Sequence, residues 1–229
     1  MMRNRSWTMC AALVLLLLTT LPAAAAGPYA ALHNSDALSN SEEQLAVQIG
    51  FDKDILALVK EVARSPLHRL SGYDEKEYQI MANGLVATVA RSRSDLVLGE
   101  LRDRLKPRKY MAFLIESNSA LKADKIGIIR GTDPYEILSI MHTNGDDDDV
   151  THEEVIDRLK TWSKQCPFEI IGAENDWVEI EFRIMPRDVR AFAEEVYDFS
   201  PDAVDEGPGS IAGLIKEIST TKRLILKWE

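Results

Sequence analysis

The sequence predicts an α+β fold, a mostly antiparallel sheet with helices packed on one face. Three observations predict it. Helix-like and strand-like runs alternate along the chain. The run Trp177 to Phe182 alternates apolar and acidic residues, as a half-buried strand does. A polar turn joins that run to the strand before it.

The first 26 residues have Arg3 and Arg5, an apolar run through Leu21, and small residues at Ala24 and Ala26. That layout predicts a secretory signal peptide over residues 1–26, cut after Ala26, so the protein is expected in the periplasm or outside the cell. An uncleaved anchor is the alternative, against which Pro22 and the alanine run argue. Removing those residues leaves 25 basic and 37 acidic residues, a formal charge of −12. Such a surface repels nucleic acid and favours a basic protein partner. Cys166 would be the remaining cysteine, so an internal disulfide is excluded. No stable membrane insertion is expected after cleavage.

Residues 27–45 are small and polar and are expected to be a flexible leader. Residues 46–108 form an N-terminal α/β segment. In it, Ile55, Leu58, Val59 and Val62 lie at helical spacing and stop before Pro66. Gly84 to Ala90 is a short β-branched strand, and Ser94 caps a helix running to Leu105.

Lys109 to Ser117 returns to strand, and Lys125 to Gly131 is another. Asp133 and Pro134 open a helix. Val155, Ile156, Leu159 and Trp162 share one face of the next, and Phe168 to Ile184 holds two strands around the polar turn. Helices opened by Pro186 and Ser210 precede a terminal strand ending near Trp228. From Lys125 onward this order predicts a ferredoxin-like, split βαβ arrangement of the C-terminal half.

The run Asp146 to Asp149 beside His152, Glu153 and Glu154 invites a metal reading. Counted from Asp146, an EF-hand loop would need glycine where Thr151 stands and a ligand where Val150 stands, so that motif fails. His142 and His152 lack the short zinc spacing. Thr151 and Glu154 instead match a capping box. Weak calcium binding by Asp146, Asp148 and Asp149 stays open as the cofactor expectation.

Asp202 and Asp205 lie in a loop between Pro201 and Gly207. They are candidates for general acid and base, or for holding a divalent cation with Asp176 or Glu174, in a hydrolase. The alternative is an ordered turn. Gly207 and Gly209 before Ser210 lack a P-loop lysine, and no G-x-S-x-G surrounds any serine. Cys166 reads as a structural thiol and Trp177 as a core residue.

The strings DPYEILSIMHTNG, THEEVIDRLKTWSKQCPFEIIGAENDWVEIEF, AEEVYDFSPDAVDEGPGSIAGLIKEI and LILKWE, in that order, resemble the bacterial domain of unknown function 4253. The resemblance covers residues 109–229. It implies a domain boundary near Lys109 and brings no reaction with it. Family members often carry an asparagine-tyrosine segment at the aspartate run, cysteine at Ser200 and tryptophan at Lys227. Trp177, Glu179, Pro201, Asp202, Asp205 and Gly207 are the matching positions at which a shared binding site is expected. The expected function is therefore an exported, non-enzymatic protein-binding module, with the cation-dependent hydrolase as the rival.

Overall fold

The computed structural model describes residues 38–118, 122–145 and 149–228. In chain order its elements are α1 (Asn40–Ile49), α2 (Lys53–Ala63), β1 (Leu67–Tyr73), β2 (Gln79–Ala90), α3 (Ser94–Leu105), β3 (Tyr110–Asn118), β4 (Ala123–Arg130) and α4 (Tyr135–Met141). Then follow α5 (His152–Gln165), β5 (Phe168–Ala173), β6 (Trp177–Phe182), α6 (Val189–Phe199), α7 (Asp202–Asp205), α8 (Ile211–Thr221) and β7 (Arg223–Lys227). The expected signal peptide and the first part of the expected leader lie outside the described residues. No helix among the described residues is long and apolar enough to cross a membrane.

The seven strands make one sheet in the order β1-β2-β4-β3-β5-β6-β7. All neighbours are antiparallel except β3 and β5. The α+β class and the mostly antiparallel sheet are as the sequence predicts, but the strand order is not that of a split βαβ. β3 intervenes between β4 and β5, and β5, β6 and β7 are successive neighbours.

Helices cover both faces, where one face was expected. Alternation along β3 explains how. Tyr110 and Ala112 enter one core with α1, α2 and α3, whereas Phe113 and Ile115 enter a second core with α4, α5, α6 and α8. The first core lies over β1, β2, β4 and β3. On that face β5, β6 and β7 carry Glu169, Glu179, Glu181 and Arg223, because their alternating partners Ile170, Val178, Ile180 and Leu224 fill the second core.

Helix α1 corrects the leader expected over residues 27–45, whose last part is helical. Ser39 and Glu42 form a capping box. The Glu42 carboxylate, buried at 4% exposure, also meets Lys60 of α2 at 2.7 Å and accepts from the Leu67 amide of β1 at 3.0 Å. A helix that looks polar in sequence is thus pinned by one buried charge pair. Burial alone would raise the Glu42 pKa, but Lys60 and the Ser39 and Leu67 donors outweigh it and hold the carboxyl at about 2.

Candidate functional site

The β6 strand presents Trp177 and Glu179 on the face shared with α3. The indole lies on Gly172 of β5, where an added Cβ would come within 2.9 Å of the ring. Glycine is required there by close approach. Glu179 is 7% exposed, and Arg223 Nη1 reaches its Oε1 at 3.5 Å. Burial pushes the Glu179 carboxyl above the ordinary glutamate value, Arg223 pulls it back, and Asp95 and Glu181 add to the rise.

Around Glu179 the charges form a lattice. Arg223 also meets Asp95 of α3 at 3.3 Å and Glu181 at 3.9 Å. Arg102 of α3 pairs with Glu169 and, at 3.4 Å, with Glu181. Lys106 and Arg183 reach Glu169 at 3.1 and 2.6 Å. The lattice ties α3 to strands far along the chain.

Pro201, Asp202, Asp205 and Gly207 lie on the other face. Ala203 and Val204 of α7 enter the second core, which leaves Asp202 half-buried and Asp205 exposed. Asp205 accepts from the Tyr197 hydroxyl at 3.4 Å, and Glu206 pairs with Lys227 at 2.7 Å. The Gly209 amide donates to the Val204 carbonyl, and Ser210 caps α8. This is an ordered turn built on α7. The sheet therefore separates the six matching positions into two groups, Trp177 with Glu179 and Pro201 with Asp202, Asp205 and Gly207.

For the hydrolase reading, the charges acting on Glu174 are Asp176, Glu116 and Lys125. Burial first, and then those two acids, raise its pKa. Among the described residues no three His, Cys, Asp or Glu side chains gather as a metal group. Asp146 and Asp148 lie outside the described residues. Asp149 follows them with φ of +57° in a loop closed by the Gly145 and Val150 amides and carbonyls.

Thr151 and Glu154 form the expected capping box. Sequence spacing did not reveal that His142 and His152 stack, with ring centroids 4.9 Å apart. His152 Nδ1 donates to the Thr143 carbonyl at 3.0 Å.

Ser200 and Cys166 both have structural roles. Ser200 is fully buried; its hydroxyl donates to the Lys227 carbonyl at 2.8 Å and accepts from the Lys227 amide at 3.1 Å, clipping α6 to β7. Cys166 is buried and its thiol is pushed up to about 11, first by burial and then by Glu195, so at neutral pH it is protonated.

Residues 125–229 match a family model described as "Domain of unknown function (DUF4253)". The match begins inside β4, later than the Lys109 boundary the resemblance suggested. No curated protein matches the chain, and no solved structure does.

Proposed function

From a chain whose residues 125–229 belong to the DUF4253 family, we propose an exported, non-enzymatic binding module that presents the acidic outer face of α5, α6 and α7 to a basic protein. The observation carrying this reading is the partition of charge. Residues 125–229 hold 23 acidic and 12 basic residues, a formal charge of −11, while residues 38–124 hold 13 of each.

On the outer face Glu154, Asp157, Asp198 and Asp205 are exposed, as is Tyr197. Between α5 and the end of α6, Glu154, Asp157, Arg158 and Thr161 border a hollow over Phe199, with the Arg158 guanidinium 4.9 Å from that ring's centroid. An acidic field of this kind speeds encounter with a basic partner and selects against acidic ones. The aromatic side chains there offer contact area once the charges have met. Export is supported by the residue layout of positions 1–26; the secreted chain would begin at Gly27, which its intact mass would show.

The test is capture from an envelope extract by the tagged chain at low and high salt, beside Asp202→Lys/Asp205→Lys. One partner recovered in near-equal amount at low salt, and lost in the variant, is the expected outcome. Recovery indifferent to salt and to charge reversal would sink the reading.

A further inference from the structure

We propose that the gap between β3 and β5 is a separate binding site, for a small organic anion that carries one carboxylate on a compact apolar body. The sheet itself creates the gap. These parallel strands pair at Leu114 and Gly172 alone. Beside that pair, the β3–β4 ladder shifts register between Leu114 and Glu116, and the β5–β6 ladder between Ile170 and Gly172.

Bulges bend and twist the strand that carries them. Toward their N-terminal ends β3 and β5 part, leaving a cavity of about 260 Å³. Met111, Ala112, Ile137 and Phe168 supply apolar wall, and Arg102 and Lys106 stand at the rim. Arg102 and Lys106 are four residues apart at the end of α3, a spacing that brings two side chains to one side.

The rim is basic in a protein that is otherwise strongly acidic. Glu169 is the carboxylate in the lining, and three cations crowd it, Arg102, Lys106 at 3.1 Å and Arg183 at 2.6 Å. Arg102 also reaches Glu181, but Glu181 is shared with Arg223. Of the charged side chains that line the cavity, two are cations, Arg102 and Lys106, and one, Glu169, is a carboxylate. Lys106 is 76% exposed, so it can turn from Glu169 to an incoming anion at little cost.

Apolar walls exclude a strongly hydrated phosphate, and the rim charge excludes an amine. The volume lies near the lower end for ligand cavities, which limits the occupant to a compact molecule. A carboxylate with an aromatic or branched alkyl body satisfies all three conditions. This site lies apart from the acidic face, so either assignment can fail without the other.

The experiment is an amide NMR titration of the purified chain with phenylacetate, its neutral analogue 2-phenylethanol, and inorganic phosphate. Phenylacetate should shift amides of residues 110–112, 131–132 and 168–170. Lys106→Glu, an exposed change, should weaken it about tenfold, as loss of a charge-assisted contact does. Thr132→Trp, which blocks the mouth from an exposed position, should abolish it, and Lys216→Glu on α8 should leave it unchanged. No shift with phenylacetate, equal shifts from 2-phenylethanol or phosphate, or an unchanged affinity in Lys106→Glu would each overturn the assignment.

Discussion

The two halves of the sheet are held together differently. Residues 38–124 carry no net charge, and a buried ion pair, Glu42 with Lys60, fixes their first helix. The half from residue 125 is strongly acidic outside and is held by aromatic contacts within. Trp162 meets Phe192 edge-on at 5.0 Å and Phe199 at 5.9 Å, and Phe199 meets Trp228 at 5.7 Å. Apolar packing is indifferent to surface charge. The half from residue 125 can therefore keep an acidic, self-repelling exterior, while the neutral half buttresses the sheet from the other side through the α3 lattice.

The largest break in that comparison should come from Glu42→Gln. It removes the carboxylate that meets the buried Lys60 ammonium at 2.7 Å and should cost about 3–5 kcal/mol in urea unfolding. Trp162→Ala should cost a similar amount by opening a cavity. Acid separates the two. The folded Glu42 carboxyl lies at about 2, below its ordinary value of 4.5. Its contribution is therefore complete above about pH 4.5 and is lost as pH falls toward 2. The stability gap between wild type and Glu42→Gln should narrow over that range, and the gap for Trp162→Ala should not.

Gly172→Ala should cost about 1–3 kcal/mol, since its methyl group meets the Trp177 ring. Ser200→Ala removes both bonds to Lys227 and should cost about 1–3 kcal/mol by thermal unfolding. The smallest effect on stability should be that of Asp205→Lys, within about 0.5 kcal/mol, since Asp205 is exposed on α7.

Periodicity and caps made most elements legible. Val155, Leu159 and Trp162 share a face, and the Thr151 box starts α5 where the sequence marks it. α1 was not legible, because its apolar set is short, Leu45, Ala46 and Ile49, and its key residue is a glutamate whose partner stands 18 residues on. β1 was missed for a related reason. Its sequence, LHRLSGY, breaks alternation at the register shift between Arg69 and Ser71.

The strand order was hidden because the β3–β5 neighbour pair depends on residues far apart in sequence, as does the cleft between them. For the candidate site, alternation sets Glu179 apart from Val178 and Ile180. Only the tertiary fold shows that α7 packs on the face opposite Glu179.

The most direct test of the division between the halves is the association rate of the captured partner against charge reversal in each half. Asp202→Lys/Asp205→Lys should slow association about tenfold at low salt, and Glu61→Lys/Glu100→Lys on the neutral half should change it less than about twofold. Equal slowing by both variants, or none by either, would contradict the account.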